Sequence, residues 1–133
     1  MDISNIRSAA IEFLDNGAGQ GEEACSYCKG NRDPSSSDNP EKAIISLKND
    51  RETSYKVYIA VQNELVAAYN DLRNREFERL FGTELGINFV EAQKQYDDPR
   101  TSLERQELLK PKLDQVKAMY PQKLSEAEST KLN

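Results

Sequence analysis

Two short runs are all that read as β-strand in this chain, and almost every helix-forming stretch lies between them. The first is Ala43-Ile44-Ile45-Ser46-Leu47, bounded by Pro40 and by Lys48-Asn49-Asp50. It is apolar on both faces, which predicts a buried strand. The second covers residues 122–127, after Pro121, with Leu124 its only large apolar residue. A strand, a helical crossover and a second strand predict a small two-layer α/β (α+β) domain, a short sheet packed by helices. Two short strands make a poor sheet alone. The missing partner strand is expected from an absent upstream segment or from a second chain, so the sheet is expected to be completed by dimerisation.

The helices announce themselves by period. Ile6, Ala10, Phe13 and Leu14 share one face of a helix over residues 4–15, with Ser4 as cap and Gly17 after its end. The longest helix is expected over residues 55–81, capped by Thr53 or Ser54 and closed by Gly82. Tyr58, Val61, Leu65, Ala68, Tyr69, Leu72 and Leu80 trace its apolar stripe. Its charged cluster from Arg73 to Arg79 reads as a solvated face. Asn88 with Glu91 has capping-box spacing for a short helix to Tyr96, stopped by Asp97-Asp98-Pro99. Thr101 with Glu104 opens a last helix with the stripe Leu109, Leu113, Val116 and Tyr120. Pro111 inside it predicts a kink or a restart.

Residues 16–42 are a different material. They hold four of the six glycines and two of the five prolines, around Cys25-Ser26-Tyr27-Cys28. They read as a long loop with almost nothing to bury. Loops beyond about 15 residues tend to be functional or mobile. The domain is expected to span 1–128, with 129–133 a flexible tail.

Composition removes whole classes of chemistry. There is no histidine, so a Ser–His–Asp triad, a Cys–His pair and His metal sites are impossible. The net charge of −5 argues against nucleic acid, which needs a basic surface. Apolar residues are 37% of the chain, and no apolar run approaches the ~20 residues that span a bilayer. Met1-Asp2-Ile3-Ser4 has neither the basic nor the apolar region of a signal peptide. The chain is therefore read as cytoplasmic or as a fragment cut free of its targeting segment.

Cys25-x-x-Cys28 is the one constellation with chemical reach. It can be a redox dithiol, a disulfide, two free thiols or half of a zinc site shared between chains. Its Gly/Ser-rich setting lacks the strand and helix N-terminus that activate redox pairs. Asp50 lies just past a strand, where ligand-facing residues of α/β sheets sit, and it equally suits a turn or cap. Asp97-Asp98 reads as a helix stop. Gly17-x-Gly19-x-Gly21 follows a helix and lacks the Lys-Ser/Thr ending of a phosphate loop. No acid–base pair, metal site or cofactor site stands out, so binding or assembly is expected rather than catalysis.

Three segments carry a resemblance: residues 40–55, from Pro40 through Ile44-Ile45-Ser46-Leu47 and Asp50 to Tyr55; Val61-Gln62-Asn63-Glu64-Leu65-Val66-Ala67-Ala68-Tyr69-Asn70-Asp71-Leu72-Arg73; and Tyr120-Pro121-Gln122-Lys123-Leu124-Ser125-Glu126-Ala127-Glu128. Together they resemble the periplasmic domain of ExbD/TolR biopolymer transporters, in the ExbD branch with a long insertion after the middle helix. That family has an apolar strand ending in an Asp, a turn with a Tyr and an amphipathic helix, matched by Ile44–Leu47, Asp50, Tyr55 and the helix that follows. The Ile6–Leu14 helix resembles its first periplasmic helix. The family's transmembrane helix with its essential Asp has no counterpart here, and its short members lack the Cys-bearing loop.

The resemblance implies a non-catalytic domain on the periplasmic side of the inner membrane, anchored natively by a transmembrane helix absent from this chain. It would work with ExbB and TonB in a proton-motive-force-driven motor that energises outer-membrane import of siderophores, vitamin B12 and similar cargo. It would act through a homodimer and contact with TonB. Lys123, Leu124, Ser125 and Glu126 are the candidate edge for either contact. A periplasmic address also favours an oxidised Cys25–Cys28 pair. The alternatives are a TolR-type subunit working with TolQ and TolA, or a zinc- or redox-binding dithiol module.

Overall fold

A computed structural model describes residues 3–48 and 54–127, leaving aside the side chains of Lys48, Glu126 and Ala127. The elements are α1 (Ile6–Leu14), β1 (Ile45–Lys48), α2 (Tyr55–Leu85), α3 (Phe89–Asp97), α4 (Leu103–Met119) and β2 (Leu124–Ala127). Among the described residues this is a helix-rich α+β fold with one two-stranded sheet. The strands run parallel, with Ile45 opposite Leu124 and Ser46 opposite Ser125. The chain divides into two compact units, residues 1–68 with 122–133, and residues 69–121. Helix α2 contributes its first part to one and the remainder to the other.

The 69–121 unit has a closed apolar core. Phe77, Phe89, Ala92, Leu109, Leu113 and Val116 are buried together, flanked by Leu80, Phe81, Leu85, Ile87, Val90 and Tyr96. The α4 stripe falls where its period predicts, with Tyr120 also fully buried. The Arg73–Arg79 segment does not. Glu76 and Phe77 are both 0% exposed within it. Glu76 accepts from Arg75 at 2.8 Å and from Arg79 Nε at 2.7 Å, so this one carboxylate lies inside between two arginines that reach solvent. Glu78 and Arg79 are exposed, as a solvated face would be. Arg73 donates twice to the Tyr120 carbonyl, at 3.0 and 2.9 Å, tying α2 to the end of α4.

Several ends differ from expectation for local reasons. Ile3–Asn5 forms a 3-10 turn ahead of α1, and the residue at the N-cap position is Asn5, whose own side chain makes no cap bond. Helix α2 passes through Gly82 to Leu85; the left-handed residue that closes it is Gly86 at φ +68°, whose N–H returns to Gly82. Ser54 Oγ accepts from Val57 N–H, as a cap should, and Thr53 lies outside the described residues. Asn88 caps α3 through Glu91 N–H. Helix α4 is capped by Ser102, one residue beyond Thr101, and runs unbroken past Pro111. Pro111 sits on an exposed face, where water can hydrate the Glu107 carbonyl that loses its donor. The expected tail at 129–133 lies outside the described residues.

Candidate docking surface

The other unit leaves its apolar surface open. Ala10, Leu65 and Ala68 form a small buried cluster in it, with Ile6, Ile11, Ile45, Leu47, Val61 and Leu124 packed against them only partly covered. Side chains alternate along a strand, so Ile45 and Leu47 face this core while Ile44 and Ser46 turn to the other side. Ile44 is 57% exposed, which corrects the reading of a strand buried on both faces.

The main chain alternates as well. Ile45 N–H donates to the Lys123 carbonyl at 3.0 Å, toward β2. In a parallel ladder that turns the N–H and C=O of Ser46 toward the opposite edge. No strand lies beyond that edge among the described residues. A cleft of about 450 Å³ follows it, walled by Ile6, Ala9 and Phe13 of α1, by Ile44 with Ile45, Ser46 and Leu47 of β1, and by Val61 and Leu65 of α2. A free strand edge beside an apolar cleft is the geometry that accepts an added strand. Main-chain bonds then give affinity, and alternate side chains in the cleft give selectivity.

The residues singled out from sequence fall around this surface unevenly. Leu124 joins the core, and Ser125 is exposed. Lys123 is exposed and its amine donates to the Glu41 carbonyl. Lys123 to Glu126 thus includes a strand already paired with β1 inside this chain, and only its far edge is open to a second partner. Tyr55, 77% exposed, opens α2. Asp50 lies outside the described residues. Cys25 and Cys28 are joined in a disulfide and are both buried. Among the described residues no group of three or more Cys, Asp or Glu is arranged to hold a metal ion.

Residues 16–42 were expected to have almost nothing to bury; residues 15–40 are instead folded onto the end of α1. Asn16 is buried; its amide donates to the carbonyls of Asp33 (3.0 Å) and Ser37 (2.8 Å), and its oxygen accepts from Asp33 N–H (3.0 Å). Arg32 donates to the carbonyls of Gly17, Cys25 and Cys28. Ser35 donates its N–H and hydroxyl to Asp33, holding that carboxyl below its ordinary 3.8. Glycine composition disguised this: hydrogen bonds to main chain order the segment together with the buried Cys25–Cys28 pair and Pro40. The paired role of Asn16 and Arg32 left no periodic signal to find.

Set beside protein-family models, curated proteins and solved structures, the chain matches none.

Proposed function

We propose that this chain is a non-catalytic docking domain that works by adding strands to its sheet. Its setting is the ExbB–ExbD–TonB motor, on the periplasmic side of the inner membrane, driving import of siderophores, vitamin B12 and similar cargo. The observation that carries the docking reading is the open edge of β1 beside an apolar cleft with Ile44 exposed at its rim. The motor setting rests on the resemblance of residues 40–55, 61–73 and 120–128 to the ExbD periplasmic domain. The helix–strand–helix order of α1, β1 and α2 is compatible with it. The domain pairs with a second copy and with TonB through the outer edges of its two strands, while ExbB engages the anchored part of the native protein.

The test uses the complete gene in its own cells. Ile44→Asp is expected to abolish siderophore uptake while the protein stays at normal abundance in the inner-membrane fraction. Undiminished uptake by that variant, or a wild-type protein found only in the soluble fraction, would overturn the proposal.

A further inference from the structure

The disulfide is the first link of a chain of contacts that ends in the cleft wall. Cys25 and Cys28 are buried. Their carbonyls converge on one guanidinium, that of Arg32, at 3.2 and 2.9 Å, and the same group reaches the Gly17 carbonyl at 2.8 Å. Gly17 has φ +69°, and a Cβ there would stand 2.7 Å from Cys28 Cβ, so the bonded pair lies directly on the Gly17 main chain. Gly30 N–H then donates to the Asp15 carbonyl and Arg32 N–H to that of Asn16, zipping the returning chain against the end of α1. Asn16 holds Asp33 and Ser37, and the Ser37 hydroxyl donates to the carbonyl of Phe13, a residue of the cleft wall.

We infer that residues 15–40 form a redox-released clasp. The Cys25–Cys28 bond fixes the spacing of the two carbonyls that hold Arg32. Its reduction frees Arg32, loosens the zipper at Asp15 and Asn16 and lets the Phe13 wall of the cleft relax. The step is a thiol–disulfide exchange. A dithiol supplies two electrons and two protons, the Cys25–Cys28 S–S bond becomes two thiols, and the dithiol closes to its own disulfide. The spacing left the pair open as a redox dithiol, a disulfide, two free thiols or half of a zinc site; here it is a bonded pair, a restraint that a reductant removes. The inference stands independently of the motor reading, because it concerns only the order of this chain.

Amide hydrogen exchange by NMR tests it, on the oxidised chain and on the chain treated with excess dithiothreitol, with alkylation and mass measurement to count thiols. Opening a four-residue covalent loop lowers local stability enough to speed exchange at Gly30 and Arg32 about 20-fold. The Phe13 ring signals shift, and Leu113 and Val116 in α4 keep their rates. The variant carrying both Cys25→Ser and Cys28→Ser shows the reduced pattern without reductant. Two free thiols with unchanged Gly30 and Arg32 exchange would overturn the clasp. So would equal acceleration in α4, a bond that dithiothreitol leaves intact in the folded chain, or a double variant that keeps the oxidised pattern.

Discussion

In the 69–121 unit, Phe77, Leu109 and Val116 are wholly enclosed and Phe81 and Phe89 meet the Phe77 ring edge-on at 5.1 and 6.2 Å. The unit of residues 1–68 and 122–133 encloses Leu14, Ala43, the Cys25–Cys28 pair and a small cluster of Ala10, Leu65 and Ala68, and leaves Ile45, Leu47 and Val61 half-covered. It makes up the difference with polar groups, through Asn16 and Arg32. The first unit has buried what it needs on its own, and the second has apolar surface and a strand edge to spare. Surface of that kind, beside donors and acceptors already aligned, is what a docking partner can use.

That comparison can be broken at several points. The largest effect belongs to Phe77→Ala, expected to cost about 3–5 kcal/mol in urea unfolding, since it empties the middle of a closed core. A loss under about 1 kcal/mol would mean that this unit is not the enclosed one. Glu76→Ala comes next. Removing a fully buried carboxylate between two arginines is expected to cost about 2–3 kcal/mol, below the full value for an enclosed pair because Arg75 and Arg79 both reach solvent. Glu76→Gln, keeping an acceptor, loses less.

In the open unit the order of importance reverses. Asn16→Ala strands two carbonyls and an N–H and is expected to cost about 2 kcal/mol, more than Val61→Ala at its half-covered position. Were Val61→Ala the more damaging in thermal unfolding, apolar contact rather than the polar network would be what holds this unit. The smallest effect is on acidification. Ser35 depresses Asp33, and Arg100, by its side chain and N–H, depresses Asp98. A lowered carboxyl contributes stability above its ordinary value, 3.8 in both cases, and loses it as pH falls through the lowered one. Exchange at Ser35 N–H is therefore expected to quicken only below about pH 4, corrected for the intrinsic pH dependence. A corrected rate that slows there would contradict the sign.

The helices were legible because burial imposes a period. Leu109, Leu113, Val116 and Tyr120 could be placed inside from spacing alone, as could Leu65, Ala68, Tyr69 and Leu72. Both strands and their place in the order were readable too. What misled was charge and glycine. Phe77 was hidden by four charged neighbours, of which Arg75 and Arg79 pair with an inward-turned Glu76. The 15–40 segment was hidden because main-chain hydrogen bonds leave no hydrophobic pattern. Ile44 was read as buried because a four-residue strand looks alike whether one face is covered or two. The cleft itself had no signature, being assembled from β1 and α2 together with α1, which lies a whole loop away in sequence.

The most direct measurement is a titration of the ¹⁵N-labelled chain with a peptide from the periplasmic part of TonB, followed by amide chemical shifts. Docking along β1 predicts saturable shifts at Ile44, Ile45, Ser46 and Leu47 and on the Ile6–Phe13 face of α1, lost in Ile44→Asp, a variant expected to change folding stability by less than about 0.5 kcal/mol. Spectra of the folded chain that stay unchanged at millimolar peptide, or shifts confined to residues 69–121, would contradict the account.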